Sequence, residues 1–241
     1  MKNKNEGFMQ KYLEIRKLKN IFVISILVIT LSGSCAGLLT EGSALAQFEK
    51  GLSLFNRGRY ENAATHFIRA TELDPDYTIA YIYLGRSYIG LKQWYSALHP
   101  LRTAYRISPE KTRTEVSNLL IDTLFSLVIG EIRKGNFDGS NAYLSEYLQL
   151  NKTLGSSNNQ IVSFLITFAA QELKRGNLTN TVSALKLALN INPKNSDAYI
   201  GLGRANFKDG RMFDALNNIR KAILLDPNNK EAGNLFNQYS K

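Results

Sequence analysis

The sequence of 241 residues predicts an all-α solenoid built from repeated helix–turn–helix units. Proline supplies the first observation, because Pro75 and Pro109 lie 34 positions apart and so do Pro193 and Pro227. The second observation is that small and apolar residues recur at matching places before each of these prolines. Similarity at a fixed period of this length is typical of repeat architectures.

Four stretches of equal length share their small residues: 44–77, 78–111, 162–195 and 196–229. Small residues at fixed helical places predict that two helix axes approach closely, because a larger side chain there would overpack and cost about 1–3 kcal/mol. The small residues stand at the eighth, twentieth and twenty-seventh places, with Thr181 as the one exception: Gly51, Gly85, Ala169 and Gly203; Ala63, Ala97, Thr181 and Ala215; Ala70, Ala104, Ala188 and Ala222.

Each unit is predicted to contain two helices. In residues 78–111, Tyr81, Leu84 and Tyr88 recur at the spacing of one face of an amphipathic helix. A glycine at the following break predicts the left-handed residue that ends a helix. A second apolar run then stops before the proline, because proline disfavours helix in the residue that precedes it. The glycines at the break are Gly58, Gly176 and Gly210.

This pattern resembles the tetratricopeptide repeat, in which aromatic–x2–Leu–Gly–x2–Tyr precedes alanine, a large apolar residue, alanine and proline. The second unit matches it at Tyr81, Leu84, Gly85, Tyr88, Ala97, Leu101, Ala104 and Pro109. The unit 196–229 matches again, except that Asn206 replaces the aromatic residue. The resemblance implies a right-handed superhelical solenoid whose first helices line an inner, concave wall.

The middle of the chain is degenerate. Residues 121–154 align with the other units, but Val128 and Tyr147 stand where small residues are expected. We expect residues 112–120 to lengthen a first helix and residues 155–161 to form a loop. Residues 230–241 are predicted to form a capping helix, since repeat arrays end in a helix with a polar outer face.

The N-terminus predicts export. Residues 1–20 form a basic leader, and residues 21–46 are expected to contain a hydrophobic helix that acts as a signal peptide or as a membrane anchor. The small-x-small sequence before Gln47 fits signal cleavage, whereas an uncleaved segment 21–39 would tether the repeat domain 47–241 to the membrane. Lipid attachment at Cys35 is a third alternative. All three place the repeats in an exported, extracytoplasmic location.

No combination of residues predicts catalysis, a cofactor or a metal site. His66 and His99 are the only histidines, and Cys35 is the only cysteine, so neither a disulfide within the chain nor a zinc-binding spacing exists. The formal net charge of +10 favours acidic partners or anionic surfaces. Because nothing beyond this charge suggests nucleic acid, the sequence predicts a scaffold that is not an enzyme.

The resemblance implies which side chains face the groove, namely the fifth, ninth, twelfth and thirteenth places of the first helices. Apolar side chains dominate two of these rows, and a large apolar patch generally marks an interaction site. Cations edge those rows, which favours an amphipathic partner segment that carries acidic residues. The candidate groove residues are Phe48, Phe55, Ile82, Arg86, Ile89, Arg133, Ile166, Leu173, Lys174, Ile200, Arg204, Phe207 and Lys208.

The predicted function is therefore that of a non-catalytic adaptor that holds another protein or peptide in its groove. Two alternatives remain. In one, a second copy or the apolar segment 21–39 fills the groove, and the protein self-assembles. In the other, the protein is an accessory subunit of an envelope enzyme or secretion complex.

Overall fold

The structure, a computed structural model, describes residues 42–241. These residues form eleven α-helices and no β-strand, which confirms the all-α prediction. The helices are α1 Ala44–Phe55, α2 Tyr60–Leu73, α3 Thr78–Gly90, α4 Trp94–Ile107, α5 Glu110–Arg133, α6 Phe137–Thr153, α7 Asn159–Arg175, α8 Leu178–Ile191, α9 Ser196–Lys208, α10 Met212–Leu225 and α11 Lys230–Tyr239.

The predictions for the N-terminus fall mainly on residues that the structure does not describe. The basic leader, the apolar segment 21–39 and Cys35 all lie outside residues 42–241. Within the described part of the chain, no helix has both the length and the apolar character that crossing a membrane requires. Residues 44–46 form the first turn of α1, so signal cleavage before Gln47 would remove the start of that helix.

The turn between the two helices of a unit contains one residue with a positive φ in each of the five units. The predicted glycines behave as expected, with φ +84° at Gly176 as the largest value. Gly135 shows that the degenerate unit keeps the same turn. Lys92 takes this position in the second unit with φ +58°, a conformation that costs a side-chain-bearing residue about 1–2 kcal/mol.

The chain divides into two compact parts, the first ending at Leu84 and the second beginning at Gly85. In the first part, α1 packs against α2. A Cβ atom on Gly51 would lie 2.7 Å from the ring of Phe67, so the glycine allows this ring to lie against α1. Phe48 packs against the rings of Phe67 and Tyr83 with centroids 5.6 and 5.5 Å apart. Aromatic packing over a glycine therefore holds this helix pair together.

In the second part, successive helices pack as pairs: α5 with α6, α7 with α8, and α9 with α10. Helix α9 also packs against both α7 and α8, so neighbouring units share one core. A Cβ atom on Gly85 would lie 2.5 Å from a methyl group of Leu101, and one on Gly203 would lie 2.5 Å from Ile219. The predicted close approach of helices at the eighth place is therefore confirmed.

The degenerate unit is filled by large side chains where the others have small ones. Val128 and Tyr147 are both buried, and Tyr147 packs against Phe125 with ring centroids 5.9 Å apart. The residues 112–120 lie within the long helix α5, as predicted. The loop after α6 is shorter than expected, because α7 already begins at Asn159 and Ile161 packs into the core.

A buried carboxylate ties the end of α7 to the start of α8. Glu172 accepts hydrogen bonds from Arg175, Asn177 and Asn180 at 2.7, 2.9 and 3.1 Å. The bonds from Asn180 and Arg175, and then that from Asn177, hold the pKa of Glu172 below its ordinary value of 4.5. The ionised carboxylate therefore stabilises the turn between the two helices.

Acid is expected to weaken the stabilisation that the ionised Glu172 gives to the turn between α7 and α8. Because the folded-state pKa of Glu172 is lowered, its stabilisation is complete above about pH 4.5 and is lost as the pH falls through the lower folded value. The variant Glu172→Gln should have a lower Tm than the wild type at pH 7, and this gap should narrow towards pH 3. Thermal unfolding followed by circular dichroism at several pH values measures this difference in Tm. The variant Glu49→Gln, at an exposed position, serves as the control. A gap that stays constant with pH would contradict the prediction.

Candidate partner-binding site

The predicted apolar residues at the fifth place are mostly buried. Within the first part of the chain, Phe48 is 9% exposed and Ile82 only 1%. In the second part, Ile200 is 4% exposed, whereas Ile166 is half-buried. The side chains of Phe48, Ile82 and Ile200 therefore contribute more to packing than to a free surface.

The predicted residues at the twelfth place are more accessible. Phe55 in the first part is half-buried, and so are Ile89 and Leu173 in the second. Phe207 is exposed on one side and stacks against Tyr239 of α11 on the other, with the ring centroids 3.9 Å apart. These residues offer apolar surface, and Phe207 is also held in place by its contact with α11.

Two of the predicted cations lie near other first helices of the second part. Arg86 of α3 forms an ion pair with Glu115 of α5 at 2.6 Å. The guanidinium of Arg133, at the end of α5, lies 5.8 Å from the ring centroid of Phe164 on α7. An exposed ion pair of this kind contributes about 0–1 kcal/mol to stability. A cation–π contact at an exposed site contributes about 0.5–1 kcal/mol, so neither contact is a major structural element.

The other three predicted cations lie towards the C-terminal ends of α7 and α9. Arg204 pairs with Glu231 of α11 at 2.5 Å. The Nζ atom of Lys208 donates a hydrogen bond to the carbonyl oxygen of Leu173 at 3.0 Å. Lys174 is exposed and has no ion pair among residues 42–241. The positive charge of Lys174 is therefore available to a ligand.

A cavity of about 210 Å3 opens between α7 and α9, and we call it the apolar cavity. Four of the predicted residues line it: Ile166, Leu173, Ile200 and Arg204. Buried residues of α8 also contribute to its lining. The structure thus brings together four of the predicted groove residues, on the first helices of two consecutive units.

Small residues keep the apolar cavity open. Ala170 of α7 lines it and is exposed to solvent, and Gly201 of α9 lines it from the other side. A Cβ atom on Gly201 would lie 2.9 Å from both Cδ atoms of Leu185, so this wall already touches α8. A bulky side chain at Ala170 would occupy the space that a ligand needs.

The two ends of the apolar cavity differ in polarity. Asp197, in the first turn of α9, lines the apolar cavity and also an adjoining polar cavity of about 210 Å3. Asn192 and Asn195 line that polar cavity as well. Towards the opposite ends of α7 and α9 stand the cations Lys174 and Lys208. A bound segment would therefore meet polar groups at one end and positive charge at the other.

Neither histidine of the chain lines the apolar cavity. His66 forms a hydrogen bond with Gln47 at 2.9 Å, and His99 is exposed on α4. Residues 42–241 contain no group of three or more histidine, cysteine or acidic side chains that would suit a metal ion.

A family model described as TPR repeat, the tetratricopeptide repeat, matches residues 51–91. The chain carries tetratricopeptide repeats. The family predicted from the sequence is thus confirmed. Such repeats act as protein–protein interaction scaffolds, and the fold is generally a non-catalytic interaction module.

Comparisons with known proteins agree with this family. Superkiller protein 3 of Schizosaccharomyces pombe is 24% identical over 193 residues, which are 76% of this chain and 13% of the relative. The DnaJ homolog subfamily C member 7 homolog of the same yeast is 24% identical over 83% of this chain and 43% of its own length. The chain therefore spans less than half of either relative.

A solved structure shows the same fold. The crystal structure of a TPR repeats protein from Bacteroides fragilis superimposes with a TM-score of 0.57 at 14% identity. The match covers 83% of this chain and 98% of the other. At this identity, the similarity concerns the tetratricopeptide fold and not what the two proteins bind.

The sequence did not predict that several small or acidic residues line the apolar cavity. Ala170 stands at the ninth place of its tetratricopeptide unit, where Arg86 and Arg204 stand in theirs. This alignment could have indicated the apolar cavity, because an alanine between longer side chains leaves a gap. Nothing in the sequence indicated that Gly201 and Glu231 line the apolar cavity, since the position of each relative to the cavity depends on a neighbouring helix.

Proposed function

We propose that this chain is a non-catalytic protein–protein interaction adaptor that binds a partner segment along its first helices, with the apolar cavity as the central pocket. The observation that carries the proposal is the apolar cavity itself, since its lining includes three apolar residues and one cationic residue of the predicted groove. Apolar cavities of about 150 Å3 accept a benzene ring, so this one suits a single aliphatic or aromatic side chain.

The partner segment is proposed to be amphipathic, with acidic residues next to its apolar anchor. Burying the anchor would supply affinity at about 25 cal/mol per Å2 of apolar surface, before the costs of ordering are subtracted. Lys174 and Lys208 would attract acidic residues at one end of the apolar cavity. Charges of this kind chiefly set the orientation and the association rate of a complex.

Export of the repeat domain belongs to the same proposal and is supported by the sequence pattern alone. A partner would then be met outside the cytoplasm, with the chain either released or tethered through residues 21–39. The mass and the first residue of the mature chain distinguish a start at Gln47 from a lipidated Cys35 and from an intact leader.

A charge reversal tests the proposed groove. A photoreactive residue at Ser163, an exposed position of α7 that lines the adjoining polar cavity, should crosslink the partner in cells, and mass spectrometry then identifies it. Lys174→Glu is expected to weaken binding of that partner about two- to tenfold, which corresponds to about 0.4–1.4 kcal/mol. The matched control is Lys186→Glu, the same charge change on an exposed position of α8, which should bind normally. Equal losses for the two variants would refute a role for this groove.

A further inference from the structure

A third cavity lies on the opposite flank of α7 from the apolar cavity. Its volume is about 370 Å3, and we call it the cation–aromatic cavity. Its residues on α7 follow the helical face opposite to Ile166, Ala170 and Leu173, which line the apolar cavity. The residues that line the cation–aromatic cavity are Arg133, Phe164, Thr167, Phe168, Gln171 and Arg175.

Positive charge dominates the cation–aromatic cavity. Two guanidinium groups line it and no acidic residue does, whereas Asp197 lines both of the other cavities. Arg133 is exposed and has no ion pair among the described residues. One guanidinium nitrogen of Arg175 forms an ion pair with Glu172, while the side chain of Arg175 remains 71% exposed. The charge of this cavity therefore complements an anionic group.

The walls of the cation–aromatic cavity favour a carboxylate on a polypeptide. Phe164 and Phe168 stack with centroids 6.1 Å apart and form an apolar side, while Thr167 and Gln171 are exposed and carry hydrogen-bond donors. Guanidinium groups bind carboxylates through paired hydrogen bonds, and such charge-assisted bonds are about twice as strong as neutral ones. An apolar wall beside the cations reduces competition from water.

We propose that the cation–aromatic cavity binds an Asp or Glu side chain of the same partner segment whose apolar side chain enters the apolar cavity, an inference that rests on the proposed function. The two cavities flank one helix, which is about 10–12 Å across with its side chains. An extended segment of the polyproline type repeats its facing side chains every three residues, about 9 Å apart. The partner motif therefore carries an acidic residue three positions from an apolar one.

Synthetic peptides test this spacing. The probes are fluorescein-labelled twelve-residue Gly/Ser peptides with one leucine and one glutamate, separated by one to five positions. Fluorescence anisotropy with the purified full-length chain should show the tightest binding at a separation of three. Replacing the glutamate of that peptide by glutamine should weaken its binding about tenfold, or about 1.4 kcal/mol.

Variants of the chain separate the possible outcomes. Arg133→Gln, alone and with Arg175→Gln, should abolish the preference for glutamate, whereas the control Arg220→Gln, an exposed arginine beside Phe236 on the terminal helices, should retain it. Binding that depends on the leucine but ignores the glutamate and Arg133 would overturn this inference and leave the proposed function standing. Failure of every peptide to bind would also overturn the inference, while the proposed function is decided separately by the crosslinked partner.

Discussion

Replacing Gly203 by alanine is expected to lower the free energy of unfolding by about 1–3 kcal/mol, the usual cost of overpacking a core. The added Cβ atom would lie 2.5 Å from Cδ1 and 2.8 Å from Cγ1 of Ile219, and 3.3 Å from the carbonyl oxygen of Ala215. Ile219 is fully buried and packs in a cluster with Ala215 and Tyr239, so it has little room to move aside. Helices α9 and α10 would have to separate, and contacts along their whole interface would weaken.

The matched control is Gly130→Ala in α5. An added Cβ atom there meets nothing within 4 Å, and alanine is more favourable than glycine inside a helix by about 0.5–1 kcal/mol. Unfolding in urea followed by circular dichroism should therefore show a lower midpoint for Gly203→Ala and a higher one for Gly130→Ala. A midpoint for Gly203→Ala at or above that of the wild type would show that the close approach does not limit packing.

The helix pairs could be predicted from the sequence because their determinants are local. Proline stops the second helix of a unit, and glycine at the turn supplies the positive φ that Gly176 shows. The same turn at Lys92 had no signal, since lysine is not a residue that favours this conformation. The early start of α7 was missed because Ile161 joins the helix to complete the core, which is a tertiary effect.

The candidate site was less predictable than the fold. Periodicity indicates which face of a helix a residue occupies, but not how much of that face a neighbouring helix covers. Ile82 and Ile200 occupy the fifth places of their units, which the resemblance assigns to the groove, and both are buried. Ala170 matters because of the volume that it leaves empty, and Arg133 joins the cation–aromatic cavity only because the end of α5 lies beside α7. Such properties belong to the arrangement of helices and not to any one repeat.

Phenylalanine in place of Ala170 is expected to reduce partner binding by at least tenfold. The ring would enter the apolar cavity and exclude the anchor side chain of the partner, whose burial contributes about 1.5–3 kcal/mol. Folding should be nearly unaffected, because Ala170 is exposed and surface substitutions usually change stability by less than about 0.5 kcal/mol. Titration of the partner identified by crosslinking, together with thermal unfolding of the variant, measures both effects.

Ala142→Phe provides the matched control for this substitution. Ala142 is exposed on α6, a second helix of its unit, and the change adds the same ring to a surface that does not line the apolar cavity. If the apolar cavity holds the anchor of the partner, Ala142→Phe should bind like the wild type while Ala170→Phe fails. Binding at wild-type strength by a well-folded Ala170→Phe would mean that the partner does not use this cavity. A loss in both variants would instead indicate that added surface aromatics interfere with binding in general, and the affinity could not then be assigned to burial between α7 and α9.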